Sequence, residues 1–143
     1  MARILVVDDE EAVLSAVERR LKREGHEVTV TSEVPEACRL LREAKQFDVV
    51  LTDMSMDAPK AGLQVLQAAF ARDLFAMVIV MTAYATVENA VECMRRGAFD
   101  YIEKHSPDHD VYEELVQKVN AALEQRQRDM RNLERLERVN WQG

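Results

Sequence analysis

The chain has 143 residues, 48% of them hydrophobic and 31% charged, with a formal net charge of −7. That length suits one domain around one hydrophobic core, and the acidic balance argues against direct nucleic-acid binding, which needs basic surface to neutralise phosphates. No stretch approaches the roughly 20 apolar residues that cross a bilayer, and the short N-terminal apolar run is unlike a signal peptide's, so no membrane partner and a cytoplasmic location are expected.

Ile4, Leu5, Val6 and Val7 form an apolar run that ends in Asp8 and Asp9, the pattern of a buried strand ending at a site. Residues 11–23 follow with Val13, Leu14, Val17 and Leu21 at helical spacing, and Gly25 is placed to end that helix. Residues 28–31 are β-branched and alternating. Residues 35–44 read as a helix with Ala37, Leu40, Leu41 and Ala44 on one stripe. Val49, Val50 and Leu51 then run into Thr52 and Asp53, a third buried strand that ends in a carboxylate. A loop with Pro59 and Gly62 leads to a helix over 63–71. The fourth apolar run, 77–81, ends at Thr82; a helix over 87–96 is closed by Gly97. A fifth strand over 99–102 leads to Lys104. Cys38 and Cys93 fit no zinc or redox spacing and read as small buried thiols.

The last segment differs. Between about 111 and 139 there is no glycine or proline, so one helix is expected to run well past the sheet. Leu115, Val119 and Leu123 suit packing on the domain. Beyond them the apolar residues thin to Met130, Leu133, Leu136 and Val139, among mixed Arg and Glu, as in a solvated helix with one narrow stripe. The expected division is therefore a domain over 1–123 and a helical linker extension over 124–143. The stripe suits a weak two-helix seam with Arg126, Glu134 and Arg138 as flanking charges.

Strands alternating with helices imply an α/β fold, a parallel sheet with helices on both faces. The flavodoxin-like, doubly wound order 2-1-3-4-5 is the natural five-strand solution. In such a sheet ligands bind at the carboxyl ends of the strands. Four of those ends carry polar groups here: Asp8 and Asp9, then Asp53, Thr82 and Lys104. Three converging carboxylates repel one another unless a cation joins them, and hard carboxylate oxygens suit Mg²⁺. A lysine and a hydroxyl facing the same spot can take up charge on a phosphoryl group, whose transfer depends mostly on positioning and electrostatics. A carboxylate held in line with a donor phosphorus can act as the nucleophile.

From Arg3 to about Leu123 the chain resembles the receiver domains of two-component response regulators. The resemblance rests on Ile4 to Glu10, on Val49 to Asp53, on Val80-Met81-Thr82-Ala83-Tyr84, and on the run from Gly97 to Lys104. The last two, with Thr86 to Val91 between them, look most like receivers of the nitrogen-regulatory, sigma-54-activating class. The resemblance implies that Asp53 accepts a phosphoryl group from a sensor histidine kinase. Asp8, Asp9, Asp53 and the Ser55 backbone carbonyl would hold Mg²⁺. Thr82 and Lys104 would bind the phosphoryl group, and Tyr101 would change rotamer with Thr82. Ser55 and Tyr84 would tune self-dephosphorylation. It also implies a homodimer paired through the fourth helix, fifth strand and fifth helix. The chain would be a regulatory phosphoacceptor rather than an enzyme, controlling an output, transcription by resemblance, that it does not contain.

Two departures stand out. The family usually has proline after the conserved lysine, where this chain has His105. The loop over 57–62 is one residue longer than the usual Met-Pro, Asp-Gly arrangement. A rival reading, a dehalogenase-type phosphatase, shares the aspartate, Mg²⁺, hydroxyl and lysine. It needs a DxD pattern on the first strand, where this chain has Asp8-Asp9-Glu10.

Overall fold

The structure is a computed structural model that describes residues 1–43, 46–56, 60–83, 85–105, 107–108 and 110–142, with side chains described as far as Val139. Among the described residues, five strands form one parallel sheet in the order β2-β1-β3-β4-β5. The strands are β1 (Arg3–Val7), β2 (Glu27–Thr31), β3 (Val49–Asp53), β4 (Met77–Thr82) and β5 (Asp100–Glu103). Between them run α1 (Glu11–Arg23), α2 (Val34–Glu43), α3 (Gly62–Arg72) and α4 (Val87–Arg95), and α5 (Val111–Gln142) follows β5. The α/β fold, its strand order and its extended last helix are those expected from the sequence.

Because strand side chains alternate between faces, each central strand feeds two cores. Leu5, Val7, Val50, Val78 and Val80 meet α2, α3 and the Cys93 turn of α4 on one face. Ile4, Val6, Leu51, Ile79 and Met81 meet Leu14, Val17 and Leu21 of α1 and Leu115, Val119 and Ala122 of α5 on the other. This double burial explains why β1, β3 and β4 are nearly continuous apolar runs. Cys93 is fully buried and Cys38 partly so, and both are free thiols.

Gly97 closes α4 as anticipated, at a φ of +100° that L side chains rarely adopt. No helix among the described residues is long and apolar enough to cross a membrane. Packing of α5 continues past Leu123. Arg126 is 4% exposed, so it does not flank an exposed seam as the sequence suggested; it belongs to the domain. Met130, Leu133, Leu136 and Val139 are the exposed apolar residues beyond it.

Candidate functional site

Strand register puts the expected residues at one edge. Val7 pairs with Thr52 across β1 and β3, and Asp53 pairs with Met81 across β3 and β4. Thr82 pairs with Glu103 across β4 and β5. Asp8, Asp53, Thr82 and Lys104 therefore leave the sheet side by side, and all four are buried. The Lys104 backbone N–H donates to the Thr82 carbonyl (2.7 Å), and the Met54 N–H to the Met81 carbonyl (2.9 Å), which extends both pairings one residue beyond the strands.

Lys104 stands at the centre. Its Nζ lies 2.7 Å from Asp8 Oδ2, 3.0 Å from Glu10 Oε1 and 3.3 Å from Asp53 Oδ2. Asp8 Oδ1 accepts a hydrogen bond from the Glu10 backbone N–H at 2.9 Å. Asp8 Oδ2 is buried without an aligned hydrogen bond, close as the ammonium is. Burial pushes the Asp53 carboxyl up to about 6, and the Asp8 charge adds to that while Lys104 and the Ser55 backbone N–H oppose it. Burial likewise raises Asp8 in spite of Lys104. Lys104 is held above the ordinary lysine value by Asp8, Glu10 and Asp53, which together outweigh its desolvation. The protein thus leaves two buried carboxylates with less positive charge than they need.

A divalent cation fits that deficit. Carboxylate oxygens of Asp8, Asp9 and Glu10 all lie within 4.8 Å of one another, the donor set is entirely oxygen, and one ammonium, Lys104, is shared among Asp8, Glu10 and Asp53. Hard ligands of this kind suit Mg²⁺. Glu10 was missed by the sequence reading. The only local signal was a third consecutive acid, and its ion pair with Lys104 spans the chain nearly from end to end.

Ser55 is exposed just past Asp53. Tyr101 packs against the core on the α2, α3 and α4 face. Its hydroxyl is buried without an aligned hydrogen bond among the described residues, and burial raises its pKa while the nearby Thr86 backbone and Thr82 act against that. Tyr84 and the loop residues Asp57, Ala58 and Pro59 lie outside the described residues. No cis peptide bond occurs among the described residues, the one before His105 included.

The response regulator receiver domain family matches residues 4–119. The chain belongs to that family. It is therefore a receiver domain of two-component signalling rather than a dehalogenase-type phosphatase. Among its relatives, the regulatory protein AtoC of Escherichia coli is 34% identical over 140 residues, which are 98% of this chain and 30% of AtoC. The crystal structure of NtrX from Brucella abortus superposes with a TM-score of 0.79 at 30% identity, covering 94% of this chain and 29% of that one. Response regulator TrrA from Thermotoga maritima, solved in complex with Mg²⁺–BeF, gives a TM-score of 0.71 at 29% identity over 86% of this chain and all (100%) of its own. The chain spans between 21% and 30% of the length of the first curated relatives it matches.

Proposed function

We propose that Asp53 accepts a phosphoryl group from a sensor histidine kinase and that the resulting dianion resets the surface around it. The observation that carries this reading is the convergence of buried Asp8, Asp53 and Lys104 at one sheet edge. One carboxylate oxygen of Asp53 attacks phosphorus while the bond to the donor's histidine nitrogen breaks. Lys104 swings from its carboxylate partners onto the transferred group, and the Thr82 hydroxyl donates to it. Asp8, Asp9, Asp53 and the Ser55 carbonyl would hold Mg²⁺, which when bound supplies the positive charge that phosphoryl oxygens require. The Mg²⁺–BeF complex of TrrA supports extending this to the present chain. Tyr101 is read as the aromatic that follows Thr82, and Ser55 and Tyr84 as the positions that set self-dephosphorylation. The chain is read as a cytoplasmic regulatory domain that is not itself an enzyme. The output it controls is read as transcriptional and is not contained in this chain. Incubation with acetyl phosphate and Mg²⁺ should add one phosphoryl group per chain by intact mass; sustained turnover of p-nitrophenyl phosphate without a stable adduct would overturn the reading.

The metal assignment predicts two effects. Asp8→Asn combined with Asp9→Asn should remove most Mg²⁺ affinity, since both changes delete charge and ligand oxygen. A fluorescence or calorimetric titration matching the parent would refute it. Asp8→Asn alone should stabilise the metal-free fold, because its raised pKa means that its charge is a net burden there. The sign follows from linkage: burial raises the Asp8 carboxyl above its ordinary value, so its charge takes stability away as pH rises from the ordinary carboxylate range through the folded value. The gain should be larger at pH 7.5 than at pH 5, on the order of 3 °C in melting temperature for ~1 kcal/mol.

We also propose a receiver followed by a helical extension, with the boundary expected at 123/124 moved beyond the buried Arg126, and a homodimer to which the extension contributes. Its exposed Met130, Leu133, Leu136 and Val139 support this. Sedimentation equilibrium of the full chain should show association that strengthens with beryllofluoride. Monomers under both conditions would end the idea.

A further inference from the structure

The second half of α5 leaves the domain at a buried arginine. Arg126 is 4% exposed. Its Nε donates to Asp48 Oδ1 at 3.1 Å and its Nη1 to the Phe75 carbonyl at 2.9 Å. The same Nη1 lies 2.9 Å from Asp73 Oδ2, a carboxylate whose side chain is 9% exposed. Asp48 precedes β3, and Asp73 and Phe75 form the turn between α3 and β4, so one guanidinium joins α5 to two separate connections at the amino-terminal edge of the sheet. This is the end opposite Asp53. Nearer the site, Lys118 Nζ donates to the Tyr101 carbonyl at 2.8 Å and to Asp100 Oδ1 at 3.1 Å. A shallow cleft separates this part of α5 from the N-terminus and is lined by Met1, Ala2, His26, Arg126 and Met130.

Leu115, Val119 and Ala122 hold the first half of α5 on the sheet through apolar contact, which is non-directional. Lys118 and Arg126 add two directional attachments to that packing, and Arg126 lies a turn beyond its last fully buried residue. Lys118 and Arg126 stand about two turns apart, roughly 12 Å along the axis and about 80° around it. The planar guanidinium, with donors in a fixed fork, adds angular definition that a lysine would lack. Beyond Arg126 the helix continues without glycine or proline to Gln142, so no residue of the kinds that commonly cause kinks interrupts it. Val139 then stands about 20 Å beyond Arg126.

We propose that Arg126, with Lys118, is the positioning residue that fixes the direction and rotational phase of the projecting half of α5. The receiver then carries a rigid arm, not a flexible tether. This holds whichever residue of the sheet edge is phosphorylated, so it stands apart from the reading above.

The test is a spin-label distance measurement on the full chain. Ser15→Cys on α1 and Arg135→Cys on the arm carry the nitroxides in a Cys38→Ala background, since Cys93 is fully buried. Labelled protein is diluted in unlabelled chain so that only intramolecular distances are read. The parent should give one narrow distribution. Arg126→Met combined with Asp73→Asn, which leaves no carboxylate stranded at Asp73, should at least roughly double its width with helix content by circular dichroism unchanged. Arg126→Lys, which keeps the charge but loses the fork, should fall between them, and it decides alone if the first variant does not fold. Distributions as narrow as the parent's in the folded variants would overturn the proposal, as would a broad distribution in the parent.

Discussion

Asp53→Asn will leave the chain folded and unable to take up a phosphoryl group. The substitution keeps the shape of the side chain and removes the one oxygen nucleophile that leaves β3 beside Lys104. Its effect should be total, because the neighbouring acids are placed differently. Asp8 is held by the Glu10 N–H and faces Lys104, while Asp9 and Glu10 are exposed. Stability should not suffer, since burial, which pushes this carboxyl up to about 6, makes its charge costlier in the folded protein than in the unfolded chain. Intact-mass spectrometry after acetyl phosphate and Mg²⁺ should show one adduct on the parent and none on the variant. An undiminished adduct on Asp53→Asn would move the acceptor to Asp8 or Asp9 and dismantle the assignment of roles around it.

Most of the fold was legible because buried parallel strands write themselves as short apolar runs. Residues 4–7, 49–51 and 77–81 are apolar on both faces since helices cover both, and each run stops where polar groups emerge toward the carboxyl end of its strand. Asp8, Asp53, Thr82 and Lys104 could be grouped from sequence alone for that reason, since the topology of a parallel sheet brings all its carboxyl ends to one edge. What stayed illegible depends on contacts between residues remote in sequence. Glu10 looks like one more acid in an N-terminal turn, and nothing near it announces that Lys104, 94 positions away, will sit 3.0 Å from it. Arg126 falls in a stretch of charged and polar residues over 124–129, and its partners Asp48 and Phe75 lie 78 and 51 residues earlier. Helical periodicity assigns faces to apolar side chains; it is blind to a charge buried by its pairing.

Arg126→Ala should therefore destabilise the domain severely. The change strands Asp73 in a nearly closed site, leaves the Phe75 carbonyl without its donor and opens a void beneath α5. Breaking a buried pair by deleting one partner costs about 3–5 kcal/mol, a large part of the roughly 5–15 kcal/mol that holds a typical domain together. Asp48, being partly exposed, can recover water and should contribute less to the loss. Asp73→Asn in the Arg126→Ala background should restore a substantial share, because the uncompensated charge goes while the void remains. The same argument applies to a chain cut after Leu123, the boundary that apolar spacing alone suggests. That chain lacks the guanidinium and should unfold at a lower urea concentration than one cut after Met130, although both retain every apolar contact of α5 with the sheet through Ala122. Urea unfolding followed by circular dichroism compares the four proteins directly. Equal midpoints for the two truncations would mean that the cluster around Arg126 is neutral in the folded balance, its Coulombic gain cancelled by desolvation.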